Sequence, residues 1–393
     1  MKNKIMMLVA LLTVLSLIAA CAGGPAGGPS GGPATAGNNN DELSEGGEST
    51  EEPQLAEELS VYNWADYIDE QVLSDYEEKY GVKVIYDTYA SNEDLLAKLQ
   101  AGAEGYDVIF PSDYMVSIMR GLDLLAEIDA SSLSNIGNMD SKFMGAPFDP
   151  DNQYCVPYQW GTTGIGYRAG DAFFEENPPN SWATLFDPAV LEQYADGGVN
   201  VLNDPRELTA AAAIYLGIEP NTVDPAELDQ ILELILAAKP YWKTFNSEDY
   251  PTSLLATDEV VLTHGWSGGV FQAYYATYDE EAEDGNWYYS IPEEGAVKWL
   301  DNICITASSK RYDTALHFMN YLMEAEVSAL ITNYVYYASP NSAASEFILP
   351  EILEDPSIYP PAEVQEKLHW LTESTDEAVR LYDELWTAVK ASQ

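Results

Sequence analysis

A tryptophan and an aspartate two residues apart suggest a site for a positively charged amine. Trp299 and Asp301 lie in residues 296–306, a segment whose pattern predicts a β-strand. Side chains alternate along a strand, so the two project from the same face. A carboxylate can pair with an alkylammonium group while an indole packs on its methylenes and adds cation–π attraction. The same pair would also fit a half-buried strand edge that binds nothing.

A second pair of acids stands in the sequence DPRE, as Asp204 and Glu207. Aspartate before proline, with glutamate three residues later, is typical of a helix start closed by a capping box. The same spacing places two carboxylates at a helix N-terminus, where the backbone dipole favours their charged form. The two interpretations are compatible, because one acid can cap the helix while the other faces a ligand.

The sequence GWSGG at residues 265–269 matches the nucleophile elbow of serine hydrolases. It follows a strand-like run and precedes a helix-like one at residues 270–277, which is the context that an elbow requires. Asp301 with either His317 or His369 would complete the chain order of a triad around Ser267. No glycine-rich oxyanion motif precedes the site, which argues against a hydrolase.

The elements that must position these residues alternate between strands and helices. Strands are predicted at residues 59–63, 82–89 and 106–110, and helices at 70–80 and 92–101. This βαβαβ order favours an α/β fold with a parallel sheet, in which ligands gather at the carboxyl ends of the strands. Aromatic and acidic residues follow two of these ends, in NWADY (63–67) and PSDY (111–114).

A second α/β stretch follows. Its predicted strands and helices are strands near 199–202, 260–263 and 296–306, helices near 205–216 and 225–238, and two long closing helices near 310–332 and 374–391.

Composition excludes several classes of partner. The 17 basic and 65 acidic residues give a net charge of −48, so nucleic acid, which needs basic patches, is not an expected partner. A negative field concentrates cations, although the acids could also serve solubility alone. The three cysteines contain no CxxC pair, and with only three histidines they give no support for a metal site or a cofactor.

The pattern of the N-terminal region predicts a signal peptide followed by a flexible linker. A basic start and an apolar run to Ala20 predict a signal peptide at residues 1–20. Two small residues before Cys21 resemble a lipoprotein cleavage site, which predicts a lipid on Cys21 and attachment outside the cytoplasm to the cell membrane. Residues 21–58 contain glycine, proline and acids without a core-forming pattern, so a disordered linker is expected there.

From about residue 59 to 390 the chain resembles the spermidine/putrescine-binding receptors of bacterial ABC importers. The segments that carry the resemblance, in family order, are VYNWADY (61–67), KVIYDTYASN (83–92), DVIFPS (107–112), FDPDN (148–152), VPYQWG (156–161), WLD (299–301) and SPN (339–341).

The resemblance implies a two-lobe periplasmic-binding-protein fold, type II-like, with a ligand cleft between the lobes. Lobe 1 would comprise residues 59–164 and 301–346, and lobe 2 residues 165–300 and 347–393. The lobes would be joined by crossings near Gly164, Asp301 and residue 346. Cys155 and Cys304 would then lie on neighbouring crossing strands, where a disulfide could form.

The resemblance also implies a set of ligand contacts, no catalytic activity, permease subunits of an ABC transporter as partners, and a monomer. The implied contacts are Trp64, Asp66, Tyr67, Ser112, Tyr114, Asp204, Glu207, Ser247, Trp266, Trp299, Asp301 and Tyr337.

Two positions bear on which polyamine is bound. Ala65 replaces a usual hydroxyl residue, and Leu371 stands where spermidine receptors often carry glutamine. Asp204, Tyr114 and Trp299 resemble spermidine receptors, so spermidine is slightly favoured over putrescine. Two other functions stay open: a serine hydrolase acting through Ser267, and a polyamine sensor that feeds no importer.

Overall fold

The computed structural model describes residues 54–102, 105–170, 172–176, 178–372 and 375–392. The predicted signal peptide, Cys21 and nearly all of the predicted linker lie outside the described residues. None of the helices described is long and apolar enough to cross a membrane.

Ten strands of the described chain form one mixed sheet in the order β2-β1-β3-β9-β4-β7-β5-β6, with β10 added to β9 and β8 added to β4. The strands are β1 Glu58–Trp64, β2 Lys83–Tyr89, β3 Val108–Ile109, β4 Cys155–Arg168, β5 Val199–Val201, β6 Thr244–Phe245, β7 Leu262–Trp266, β8 Trp287–Ser290, β9 Ala296–Ile305 and β10 Leu368–Trp370.

The two long antiparallel strands β4 and β9 join the halves of this sheet. They pair from Cys155 opposite Cys304 to Thr163 opposite Val297. β1, β2 and β3 lie on one side of them, and β5, β6 and β7 lie on the other. This arrangement suits two lobes joined by crossing strands, and the lobe boundaries given above stay a prediction.

A disulfide closes one end of the β4–β9 pair. The Cα atoms of Cys155 and Cys304 are 4.5 Å apart and their sulfurs are bonded, so the disulfide that the sequence left open is present in the structure. Pro157 interrupts the same ladder, and the register shifts between Pro157 and Gln159. A bulge accommodates a proline in a central strand, since proline cannot donate a ladder hydrogen bond.

Fourteen α-helices of the described residues pack around the sheet. They are α1 Glu70–Tyr80, α2 Asn92–Gln100, α3 Asp113–Gly121, α4 Ala172–Glu176, α5 Ala183–Phe186, α6 Pro188–Leu191, α7 Pro205–Leu216, α8 Pro225–Ala238, α9 Ser267–Ala276, α10 Tyr312–Leu322, α11 Ala325–Val335, α12 Pro350–Leu353, α13 Ala362–Gln365 and α14 Asp376–Ala391.

The clearest helices begin and end at capping residues. Asp69 accepts a hydrogen bond from the backbone N–H of Gln71 and begins α1, and Gly81 ends it with a left-handed φ of 71°. The single helix predicted over residues 310–332 is wrong. The chain leaves helical geometry at Glu324, with ψ at 136°, and α10 and α11 are separate helices.

The folded body begins earlier than the predicted linker end at Glu58. Glu58 is the first residue of β1 and forms an ion pair with Arg311. The backbone N–H of Lys83 donates to the Glu57 carbonyl at 2.9 Å. The N–H of Ala56 donates to the Thr314 hydroxyl at 2.8 Å. Acidic composition predicted disorder here, but strand pairing and an ion pair fix these residues.

Candidate functional site

A cavity of about 840 Å³, open solvent at its mouth included, lies among the ends of β1, β3 and β7, the middle of β9 and the starts of α3 and α7. All twelve contacts implied by the resemblance line it, although their ligand-binding role stays a prediction. The lining residues that sequence reasoning did not name as contacts are Ala65, Tyr89, Ala90, Asn92, Asp113, Glu248, Tyr250, Pro251, Gly269, Gln272 and Leu371.

Hydrogen bonds to both oxygens hold the carboxylate of Asp301 in the cavity. One of its oxygens accepts a hydrogen bond from Tyr67 at 2.7 Å and the other accepts one from Ser112 at 2.6 Å. The residue is only 5% exposed. Burial raises the pKa of Asp301 to about 7, although the two hydrogen bonds oppose this. The carboxylate is thus oriented in advance, and a ligand cation would favour its charged form.

Trp299 lies beside Asp301 on β9, and its indole meets the Tyr337 ring edge-on at a centroid distance of 5.1 Å. A Cβ atom at Gly161, opposite on β4, would lie 2.6 Å from the Trp299 ring. Glycine at position 161 therefore makes room for the indole. The shared-face prediction for Trp299 and Asp301 agrees with both side chains lining the cavity.

Further aromatic rings form the walls. The Trp64 and Trp266 rings approach edge-on at 6.0 Å, and the Tyr67 and Tyr337 rings at 5.3 Å. The Trp64 indole donates to the Phe110 carbonyl at 2.9 Å, which fixes its orientation. Such walls can pack on methylene chains and attract cations through their π faces.

Asp204 and Glu207, at the start of α7, have different roles. One oxygen of Asp204 accepts hydrogen bonds from the backbone N–H groups of Arg206 and Glu207, at 2.9 and 3.0 Å. Asp204 is therefore the N-cap, as predicted. One carboxylate oxygen of Glu207 is buried without a hydrogen-bond partner among the described residues. Glu207 thus has an acceptor available for a ligand.

The two acids also influence each other's charge. Burial raises the pKa of the Glu207 carboxyl well above its usual range, and the neighbouring charge of Asp204 raises it further. Burial also raises the pKa of Asp204, while the capping N–H groups oppose this. Two buried carboxylates of which one raises the pKa of the other are costly to ionise together without a cation.

A polar network forms part of the cavity wall. The Asn92 amide donates to the Ser112 hydroxyl at 3.0 Å and to the Tyr114 hydroxyl at 3.2 Å. Tyr114 in turn donates to Glu93 at 3.1 Å. The Arg206 guanidinium lies 5.5 Å from the Tyr114 ring centroid. Burial raises the pKa of the Glu93 carboxyl, and the Arg206 charge partly opposes that rise. This network fixes Ser112, which holds Asp301.

The serine of GWSGG occupies the strand–turn–helix context of an elbow, but its glycines serve packing. β7 ends at Trp266 and α9 begins at Ser267, which is 1% exposed. A Cβ atom at Gly268 would lie 2.6 Å from the Tyr337 ring, and one at Gly269 would overlap the Tyr250 hydroxyl. The glycines therefore admit two tyrosines that line the cavity.

The histidines proposed for a triad do not line the cavity. The His317 ring contacts the Tyr76 hydroxyl at 3.0 Å, and both Asp301 oxygens accept hydrogen bonds from Tyr67 and Ser112. The arrangement gives Ser267 no triad.

The mouth of the cavity carries more exposed groups. The carbonyl oxygen of Asp66 accepts a hydrogen bond from the Gln272 amide at 3.2 Å, and the Asp66 side chain is exposed. The Ser247 hydroxyl accepts the backbone N–H of Asn203 at 2.7 Å. The resemblance implied Ser247 and Trp266 as contacts, but neither it nor any sequence pattern marked Glu248 or Gln272.

Comparison with known proteins assigns the chain to a family. The sequence profile described as bacterial extracellular solute-binding protein matches residues 71–360. The chain belongs to the bacterial extracellular solute-binding protein family. This membership confirms the prediction that it is not an enzyme, and it agrees with a location outside the cytoplasm.

Relatives of this solute-binding protein cover most of its length. It is 37% identical over 338 residues to the putrescine/cadaverine-binding protein of Pseudomonas aeruginosa, covering 85% of this chain and 94% of the relative. It is 35% identical over 336 residues to the spermidine/putrescine-binding periplasmic protein of Salmonella typhimurium, covering 85% and 92%.

A solved structure confirms the two-lobe α/β fold class. The putative spermidine/putrescine ABC transporter protein from Listeria monocytogenes superimposes with a TM-score of 0.78 at 31% identity, and the match covers 86% of this chain and 100% of the other.

The two acids of α7 should respond differently to mutation. Glu207→Gln should weaken ligand binding with little change in melting temperature, because Glu207 does not cap the helix. Asp204→Ala should also destabilise the fold by about 1 kcal/mol, since α7 loses its cap. Calorimetry and thermal melting of both variants test this. Equal melting losses with unchanged binding would show that the pair is purely structural.

Proposed function

We propose that this protein is a lipid-anchored extracytoplasmic receptor that captures a polyamine and delivers it to an ABC transporter. The observation that carries the proposal is the chemistry of the cavity. Acids and aromatic rings line it together, and none of the described residues that line it is lysine or arginine. The names of the relatives, which include putrescine, cadaverine and spermidine, support the same ligand class.

The lining chemistry selects against other common solutes. An amino acid needs a cation or aimed backbone N–H groups for its carboxylate. A sugar could stack on the aromatic walls, but it would leave the buried acids without counter-charge. A polyamine supplies ammonium groups for the acids and methylenes for the rings. Binding relieves the repulsion between acids and so favours closure of the two lobes around the ligand.

We favour spermidine slightly over putrescine. Asp204, Tyr114 and Trp299 have the residue types expected of spermidine receptors, and all three line the cavity. Leu371 lines it too and is 4% exposed. An apolar residue there is typical of putrescine receptors, so the preference should be modest.

Isothermal titration calorimetry of the folded body, without residues 1–53, tests the ligand class. Spermidine, putrescine, spermine, representative amino acids and a neutral sugar should be titrated in parallel. Binding of polyamines alone supports the proposal. Tight binding of the sugar, or of an amino acid in preference to both spermidine and putrescine, would refute it.

The lipid anchor depends on Cys21 alone. Cys21→Ser should release the protein from the membrane fraction, because no acceptor for the lipid would remain at the cleavage site. Fractionation of cells expressing both forms checks this, and a fold-neutral change such as Ser30→Ala in the tether is the matched control. Persistent membrane association of Cys21→Ser would contradict lipidation.

Transport, as opposed to sensing, needs a permease. Uptake of labelled spermidine should fall when either this gene or the partner permease is deleted. If uptake persists while a transcriptional response to polyamine is lost, the protein acts as a sensor.

A further inference from the structure

Helix α9 contacts the opposite half of the sheet at the mouth of the cavity. It begins at the end of β7 and packs on β7, β8 and β4, so it belongs to the half that contains β5, β6 and β7. Its Gln272 side chain donates to the Asp66 carbonyl at 3.2 Å. Three residues later, the Tyr275 ring stacks on that of Tyr336, with centroids 4.4 Å apart and planes inclined by 14°. Two side chains of one helix therefore bridge the cavity mouth.

Both partners of these side chains belong to the half that contains β1, β2 and β3. Asp66 follows β1, and Tyr336 follows α11, which packs against α1 and α10. Tyr336 ends α11 with a left-handed φ of 59°. Glycine or asparagine usually takes this position, because the conformation is costly for a bulky side chain. A tyrosine held there indicates that its ring has a use that offsets the backbone strain.

Glycines let α9 approach the other half closely. A Cβ atom at Gly268 would lie 2.5 Å from the Val335 carbonyl oxygen. The backbone N–H of Gly269 donates to the hydroxyl of Tyr337, a residue of the cavity wall, at 3.2 Å. The contact between α9 and residues 335–337 thus runs from the buried wall to the surface. Opening the two halves about β4 and β9 would break all of these contacts together.

We propose that Gln272 and Tyr275 are positioning residues that fasten α9 across the cavity mouth and so slow the release of any bound polyamine. This inference rests on the proposed polyamine-binding function and on closure of the two lobes around the ligand. Neither ring of the Tyr275–Tyr336 stack is among the residues that line the cavity. The stack therefore stabilises the closed form without touching the ligand. Such a contact raises the affinity for every ligand of the closed form by the same factor.

Tyr275→Ala should weaken the binding of spermidine and of putrescine by a common factor of about three to ten, the range expected of an aromatic pair. Calorimetry measures the two affinities. Stopped-flow fluorescence of the tryptophans that line the cavity measures the rates. The loss should appear as faster dissociation with little change in association, because the stack forms after the ligand has entered. Gln272→Ala should act in the same direction, since it removes the hydrogen bond to Asp66.

Tyr278→Ala is the matched control, because Tyr278 is 43% exposed and its ring neighbours, Tyr274 and Tyr275, lie on its own side of the cavity. It should change affinity by less than about twofold. Tyr275→Phe keeps the ring and should bind as wild type does. Tyr336→Asn removes the other ring but tolerates the left-handed φ, and combined with Tyr275→Ala it should lose no more affinity than either change alone. Melting of the ligand-free variants checks folding.

Three results would each overturn the inference: wild-type affinity in Tyr275→Ala, a loss confined to one of the two amines, or an equal loss in Tyr278→Ala. A loss for one amine alone would mean that the side chain contacts the ligand directly. If the proposed function itself is wrong, the outcome differs, because wild-type protein would then bind neither spermidine nor putrescine.

Discussion

Replacing Asp301 by asparagine should weaken polyamine binding by about 2–4 kcal/mol while leaving the fold intact. The expected loss is large because the carboxylate is 5% exposed and both of its oxygens are already oriented by Tyr67 and Ser112. Asparagine keeps the shape but supplies no charge to the ammonium group. Its amide N–H₂ would also face one of the two hydroxyl donors, which must rotate away.

The loss must be separated from the general effect of removing one negative charge. Asp229 is exposed on α8 and does not line the cavity. Asp229→Asn should therefore change affinity little, and any change should vanish at high salt because exposed charges are screened. Calorimetry at two salt concentrations compares the variants. An affinity for spermidine unchanged in Asp301→Asn would remove this residue from the site.

Tyr67→Phe and Ser112→Ala extend the same test. Each removes one hydroxyl that orients Asp301 without removing the charge, so each should cost less affinity than Asp301→Asn. A loss as large as that of Asp301→Asn would show that orientation matters as much as charge.

The sequence was sufficient to predict elements whose ends are set by capping residues. α7 runs over Pro205–Leu216 as predicted, because Asp204 and Pro205 start it and Gly217 ends it with a left-handed φ. Trp299 and Asp301 could be placed on one face from strand alternation alone. Both cases depend on residues close in sequence, which is where local patterns carry information.

Features that depend on distant contacts could not be predicted in this way. β4 is the longest strand, yet Pro157 and three glycines weaken its strand pattern, and a bulge opposite β9 accommodates the proline. Gly161 is required only because the Trp299 ring lies across from it. Asp113 follows a predicted strand end, but only the bridge between Ser112 and Asp301 places it next in sequence to a residue paired with Asp301.

Affinity for polyamine should rise with pH between about 6 and 8, a window well above the one that composition alone predicts. Ordinary carboxyls titrate near about 4, which would leave binding unaffected at neutral pH. Burial raises the pKa of Asp301 to about 7 and that of Asp113 to about 8 in the ligand-free protein. Both acids thus hold protons near neutrality, and an ammonium group must displace them.

The sign of the effect follows from proton linkage. Ligand favours the ionised acids, so binding releases protons and affinity rises by up to about tenfold per pH unit for each proton released. Primary amines keep their protons up to about pH 10, so the ligand stays charged across the window. Affinity should level off above the highest of the shifted pKa values.

Stability of the ligand-free protein should move in the opposite direction. The folded-state pKa values of Asp301 and Asp113 lie above their unfolded values, so the folded state binds more protons and loses stability as pH rises through about 7 to 8. The melting temperature without ligand should therefore be lower at pH 8 than at pH 6, and the increase on adding spermidine should be larger at pH 8.

Calorimetry in buffers of different ionisation enthalpy measures the protons released. Wild-type protein should release protons on binding spermidine at pH 7, and Asp301→Asn should release fewer because one of the titrating acids is gone. An affinity that is flat from pH 6 to pH 8, with a binding enthalpy independent of buffer, would mean that the acids are already ionised in the empty cavity. The repulsion between them would then be relieved by water alone, and burial would not couple ligand binding to proton release.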